Sequence, residues 1–305
     1  QFCGTRYDFI IRRFGMFTGA MVALVTPFQD GEVDFETLAE LIGFQLEAGI
    51  DGIVPVGTTG ESPTLSYEEH KKVIETVVKA VDGQVPVIAG AGANSTAEAI
   101  ELTAYAKKVG ADATLQVGPY YNKPMQEGFY QHFKAISEEV DLPVVLYNIP
   151  GRCGAGMTPE TIARLAELEN IVAIKEASGS LDQASEIATR CDITIISGDD
   201  SLTLPLASVG GKGVISVVAN IVPADVKAMT DLILEGDFVS ALRWHKKLFG
   251  LSKGMLTLAT NPIPVKAAMA MLNMASEEMR LPMTPLEEEK KGVLKQTLKD
   301  YGLLN

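Results

Sequence analysis

The chain has 305 residues, 47% hydrophobic and 21% charged, which suits a globular protein with one large α/β barrel or two ordinary domains. Acidic residues (39) outnumber basic ones (26) for a net charge of −13, which argues against nucleic acid or an anionic membrane surface as a partner. Three cysteines (Cys3, Cys153, Cys191) without C-x-x-C spacing and three scattered histidines (His70, His132, His245) imply neither a disulfide framework nor a metal site, and suit a reducing cytoplasm.

At the start, a basic pair (Arg12-Arg13) precedes the apolar stretch Met16 to Phe28. Thr18, Gly19 and Thr26-Pro27 interrupt that stretch, and no small-residue cleavage site follows. It therefore reads as a first buried strand at Met21–Val25 rather than a secretory signal. Residues 1–15 read as a poorly ordered upstream or vector-derived extension before a start at Met16. No apolar run approaches the ~20 residues needed to span a bilayer.

Seven further short apolar runs follow: 52–56, 85–89, 113–117, 144–147, 171–174, 194–196 and 213–217. They are continuous rather than alternating, as expected of parallel strands buried on both faces. Helical periodicity lies between them. Phe35, Leu38, Leu41, Ile42 and Leu46 recur at three- and four-residue steps before Ala48-Gly49, and Val73, Ile74, Val77, Val78 and Val81 do so before Asp82-Gly83. Ser95-Thr96-Ala97-Glu98 has the form of a capping box, and Thr158-Pro159-Glu160 that of a helix start with proline at its first position. Eight strands, most followed by a helix, predict a (β/α)₈ TIM barrel over 16–236. An open doubly wound sheet is the alternative, weakened because no G-x-G-x-x-G follows the first strand. Residues 237–305 predict a helical C-terminal appendage, with helices around Phe238–Leu251, Val265–Leu272 and Leu286–Leu298.

In such a barrel the chemistry lies at the C-terminal ends of the strands. Strand two runs into Gly57-Thr58-Thr59-Gly60-Glu61-Ser62, whose backbone N–H groups and hydroxyls can hold a carboxylate. Strand four leads to Tyr120-Tyr121-Asn122, strand five to Tyr147 and Arg152, and strand seven to Gly198-Asp199-Asp200. Lys175 comes where strand six should stop. An amine at the rim of an apolar core loses hydration, which lowers its pKa and makes it a usable carbonyl nucleophile. Singly, each residue has a plainer explanation: a strand-end lysine reaching for water, a packed tyrosine, a solvated loop arginine. Together they are the parts of a Schiff-base aldolase.

The segments Gly57-Thr58-Thr59-Gly60-Glu61-Ser62, Pro119-Tyr120-Tyr121-Asn122, Leu146–Arg152, Ile174-Lys175-Glu176-Ala177, Gly213–Val217, Asn261–Lys266 and Arg280-Leu281-Pro282-Met283 occur in an order that resembles the dihydrodipicolinate synthase family of pyruvate-dependent Schiff-base aldolases. The resemblance runs from Met16 to about Leu304. It implies a homotetrameric TIM barrel that condenses pyruvate with L-aspartate 4-semialdehyde on the route to diaminopimelate and lysine, with no metal or organic cofactor. It implies that Lys175 forms the imine, that Tyr147 and Thr58 pass protons, and that Tyr121 completes the relay from a neighbouring subunit. Thr59 would hold the pyruvate carboxylate and Arg152 that of the semialdehyde, with Gly198 and Ile215 lining the pocket. L-lysine would inhibit at a separate site made of Ser62, His70, Asn94, Glu98 and Tyr120. Pro63 and Tyr67 depart from the inhibited relatives there, the tyrosine standing in place of a second histidine. Two rivals remain, an N-acetylneuraminate lyase-like aldolase and a non-catalytic keto-acid-binding barrel. The second threonine and Arg152 favour the synthase over the first, and the intact Lys175, Tyr147, Thr58 and Tyr121 set argues against the second.

Overall fold

The computed structural model describes residues 17–305; the expectations for residues 1–15 and Met16 lie outside the described residues. The strands are β1 (Gly19–Ala23), β2 (Phe28–Gln29), β3 (Glu32–Val33), β4 (Gly52–Val54), β5 (Ile88–Gly90), β6 (Ala113–Val117), β7 (Val144–Asn148), β8 (Ile171–Glu176), β9 (Thr194–Ser197) and β10 (Gly213–Ser216). Eight of them form one parallel sheet in the order β4-β1-β10-β9-β8-β7-β6-β5, and a parallel bridge between Ile53 and Val87 brings its two ends together. The result is the expected barrel. The remaining two, β2 and β3, form a small antiparallel hairpin, turned by Asp30 and Gly31, which both have positive φ.

The strands read as unbroken apolar runs because each is buried twice. In β1, Ala20 and Val22 pack outward, while Met21 and Ala23 join Phe17, Val54, Ile88, Leu115, Val145, Ile196 and Ile215 inside the barrel. In β7, Val144 and Leu146 face the helices, while Val145 and Tyr147 face inward.

The helices are α1 (Phe35–Glu47), α2 (Tyr67–Val81), α3 (Thr96–Val109), α4 (Gln126–Glu139), α5 (Pro150–Cys153), α6 (Pro159–Ala166), α7 (Leu181–Arg190), α8 (Thr203–Ala207), α9 (Pro223–Glu235), α10 (Phe238–Leu256), α11 (Ile263–Met271) and α12 (Glu288–Tyr301). The periodic residues of α1 and α2 supply their buried faces, and Thr158 caps α6 as its sequence suggests. The last three helices, α10 to α12, follow the last strand and α9 in the chain. None of the helices in the described residues is long and apolar enough to cross a membrane.

Several boundaries differ from expectation for local reasons. Strand two ends at Val54 rather than Val56, because Val56 has a φ of 48°, incompatible with a continuing strand. Strand three begins at Ile88 rather than Val85, past Pro86, which has no N–H to give a ladder. At the start of α3 only half a capping box forms: the Ser95 hydroxyl accepts the Glu98 N–H, while the Glu98 carboxylate interacts with the Tyr67 hydroxyl. A complete box forms instead at α2, between Ser66 and Glu69.

Candidate active site

The expectation that strand six stops before its lysine is corrected by the structure. β8 continues through Lys175 and Glu176, paired to Tyr147 and Asn148 on one side and to Ile196 and Ser197 on the other. Strand alternation then decides where each charge points. Ala173 belongs to the inner cluster, and Lys175, two residues on, shares its face. Glu176 turns the other way, where Asn148, Gln183 and the Ser178 N–H donate to its carboxylate.

Lys175 is thus enclosed rather than rim-exposed, at 5% exposure. Its Nζ lies 4.2 Å from the centroid of the Tyr147 ring. Burial lowers its pKa to about 8; Asp199 and Asp200 oppose that shift and Arg152 adds to it. Gly198 makes room for the side chain. A Cβ there would stand 3.1 Å from Lys175 Cε and 2.5 Å from Ala177 Cβ.

The Tyr147 hydroxyl is also buried, which raises its pKa to about 12; Arg152 and a hydrogen-bonding interaction with Thr58 act against the shift. Ile215 closes the same interior from β10. Asp200 is held below by the Ser216 hydroxyl at 2.5 Å and the Val217 N–H at 2.9 Å. The structure therefore brings Lys175, Tyr147, Thr58, Arg152, Gly198 and Ile215 together. Asp199, left without a role in the sequence reading, belongs with them through its interactions with Lys175 and Tyr147.

Thr59 and Arg152 meet through a residue that the sequence reading gave no role. Asn261 Nδ2 donates to Thr59 Oγ1 at 3.0 Å, and Arg152 Nη2 donates to the Asn261 carbonyl at 2.9 Å. A contact spanning 202 residues leaves no trace in local spacing; the one available signal was the Asn261-Pro262-Ile263-Pro264 run itself.

A cavity of about 370 Å³ opens on this face of the barrel. Ser62, His70, Glu98 and Tyr120 line it, together with Thr58 and Arg152 from the catalytic and substrate-binding set, so these two residues border the space of the lysine-site group. Asn94 donates to the Tyr120 carbonyl at 3.2 Å. His70 is buried against the Gly90 carbonyl at 2.7 Å, and burial lowers its pKa. Tyr121 does not join its own chain's site. It is 89% exposed, with φ at 72°. A larger recess, about 650 Å³, lies at Ile171 and Ile193, the opposite ends of the strands, and is lined by Glu160, Arg164 and Arg190. Barrel chemistry occupies the other face.

This geometry has close counterparts. The model of the dihydrodipicolinate synthetase family matches residues 16–301. The 4-hydroxy-tetrahydrodipicolinate synthase of Pelobacter propionicus is 55% identical over 291 residues, spanning 95% of this chain and all of that one. A crystal structure of a dihydrodipicolinate synthase superposes with a TM-score of 0.93 at 54% identity, covering 94% of this chain and all of that one. The enzyme from Aquifex aeolicus gives 0.92 at 51% identity over 94% of this chain and 99% of its own. On the match along nearly its whole length, the chain belongs to the dihydrodipicolinate synthetase family.

Proposed function

We propose that Lys175, Tyr147, Thr58, Thr59 and Arg152 carry the condensation of pyruvate with L-aspartate 4-semialdehyde to 4-hydroxy-tetrahydrodipicolinate. The chain is a Schiff-base lyase of lysine and diaminopimelate biosynthesis. One observation supports the assignment above others: a lysine inside the barrel, 4.2 Å from the ring of a buried tyrosine, with a glycine clearing its path.

The neutral Lys175 amine adds to the pyruvate carbonyl, and loss of water gives the imine. The imine draws electrons from the adjacent methyl, which loses a proton to give an enamine. That carbon then bonds to the aldehyde carbon of the second substrate, whose oxygen takes up a proton to become the 4-hydroxyl. The amine of the same substrate then attacks the imine carbon, closing the ring as the bond to Lys175 breaks and the lysine leaves as a free amine. With a pKa of about 12, Tyr147 stays protonated at neutral pH and serves as a relay, giving and regaining a proton through Thr58. Thr59 holds the pyruvate carboxylate, and the forked guanidinium of Arg152 receives that of the semialdehyde. A relative from Acinetobacter baumannii, 44% identical, is described as complexed with pyruvate, which supports this choice of first substrate.

Borohydride added with pyruvate is expected to fix one pyruvyl unit on Lys175. A Lys175→Ala chain that still traps pyruvate would overturn the assignment. Turnover with aspartate semialdehyde beside N-acetylneuraminate separates the synthase from the sugar-acid lyase and from a pure binder.

Assembly and regulation belong to the same proposal. Tyr121 and Met125, both strongly exposed on one loop, suit a contact with a second copy that carries Tyr121 into the neighbour's relay, within a homotetramer. L-Lysine fits the Ser62, His70, Asn94, Glu98 and Tyr120 group, where Glu98 faces its α-amine. A relative from Cyanidioschyzon merolae is described with lysine bound. Millimolar lysine is expected to slow turnover in wild type and less so in Glu98→Ala. Full activity in wild type, or inhibition unchanged in the variant, would remove this part of the reading.

A further inference from the structure

The loop carrying Thr58 and Thr59 is unusually constrained. Val56, at its start, has a φ of 48°, and Glu61, at its end, has a φ of 53°. A β-branched residue in the left-handed region is a costly outlier that persists when its surroundings impose it. Within the loop, the Gly60 and Glu61 N–H groups donate to the Gly57 and Thr58 carbonyls, each at 3.1 Å. From outside, the Thr26 hydroxyl donates to the Gly60 carbonyl at 2.8 Å.

The strongest external contact comes from the C-terminal region. Lys266 of α11 is 1% exposed and Glu61 is 3% exposed, and they form an ion pair at 2.5 Å. Lys266 Nζ also donates to the Glu278 carbonyl at 2.7 Å and lies 4.3 Å from the Phe28 ring centroid. The other Glu61 oxygen accepts the Arg280 N–H at 3.3 Å. Five residues before Lys266, Asn261 holds Thr59 Oγ1 and the Arg152 guanidinium. One short segment thus grips the threonine loop at two points and the arginine at a third.

Burial strips both ions of water, so such a pair is often no more stabilising than apolar residues of the same volume. Stability alone is a poor reason for it; holding a strained loop in one geometry is a better one. We propose that Lys266, Glu61 and Asn261 are positioning residues, and that through them the C-terminal helical region sets Thr58 and Thr59 at the pyruvate carboxylate site. The inference rests on the site assignment above.

The test uses the full chain with Glu61→Leu/Lys266→Met, which replaces the pair with apolar groups, and separately Asn261→Ala, which removes the side-chain contact to Thr59 and leaves the charges in place. Each is measured for thermal midpoint, borohydride-trapped imine, and KM and kcat with pyruvate varied. The expected result is a native-like midpoint with a KM for pyruvate raised about tenfold or more, because a misplacement near 1 Å at a reacting site costs up to ~100-fold. An unchanged KM and kcat in a folded double variant would overturn the proposal and leave the pair a structural contact. If the double variant does not fold, Asn261→Ala decides: a raised KM at an unchanged midpoint supports positioning, and an unchanged KM overturns it. Failure of the site assignment is separate: wild type would then carry no adduct on Lys175.

Discussion

In the function proposed above the nucleophile is a single lysine, and the environment of Lys175 favours that role by withholding water. At pH 7 an amine with a pKa near 8 is about one-tenth neutral, against roughly one part in 3,000 for an ordinary lysine. That gain in nucleophile costs stability. Below pH 8 the folded chain must bury a charged ammonium that the unfolded chain exposes, so the penalty is fully present there. It fades as pH rises from 8 towards the ordinary value of 10.5, above which both states are neutral. Lys175→Met is therefore expected to be inactive and also more stable than wild type at pH 7, with a gain on the order of 1–3 kcal/mol that shrinks above pH 8. Thermal unfolding of both chains between pH 6.5 and 10 checks this. A variant less stable than wild type throughout would mean that Asp199 and Asp200 depend on the ammonium more than burial opposes it. The rate of imine trapping in wild type is expected to rise with pH and level off near 8.

At the scale of elements, the helix starts around the cavity are built unequally. Ser66 and Glu69 exchange two hydrogen bonds at α2, and Glu69 also pairs with Arg280. That Arg280 contact is the main cause holding the Glu69 carboxyl down at about 2. At α3 the Ser95 hydroxyl makes one long contact of 3.5 Å. Ser66→Ala is expected to cost about 1–2 kcal/mol, the upper part of the range for a lost cap, and Ser95→Ala about 0.5 kcal/mol or less. Denaturant midpoints of the two variants test the order; equal losses would show that the Ser66 hydroxyl contact at 3.2 Å contributes no more than the Ser95 contact at 3.5 Å. The same comparison explains a misreading. Both sites carry Ser followed three residues later by Glu, yet at α3 the Glu faces Tyr67 across the cavity. The pattern permits the box, and the neighbour across space decides whether the carboxylate is free to make it.

For the whole molecule, the barrel places two of its largest exposed side chains, Tyr121 and Met125, on one loop beside the mouth of the site. If Tyr121 completes a neighbour's relay, Tyr121→Phe and Lys175→Ala chains are each nearly inactive alone. Mixed and allowed to exchange, they are expected to regain up to about a quarter of wild-type activity, since a hybrid pair holds one site with both residues intact and half the pairs are hybrids. Native mass spectrometry confirms exchange. Exchanged mixtures without recovery would mean that each site is built from one chain.

The barrel was legible in the sequence because parallel strands buried on both faces become continuous apolar runs, and helices between them keep a 3.6-residue period. The strand-end residues were legible for the same reason: once the strands are counted, their C-terminal ends share a face. What the linear chain could not carry was direction and distance. Lys175 was expected at a strand's edge, and the pairing of β8 with β7 and β9 instead enclosed it. Asn261, Lys266 and Glu61 lay in plain view within quoted motifs, yet their partners are 202 and 205 residues away. Periodicity reports which face of an element is buried. It is silent on which distant element covers that face, because closing the barrel and folding the C-terminal helices onto it is a matter of packing in three dimensions.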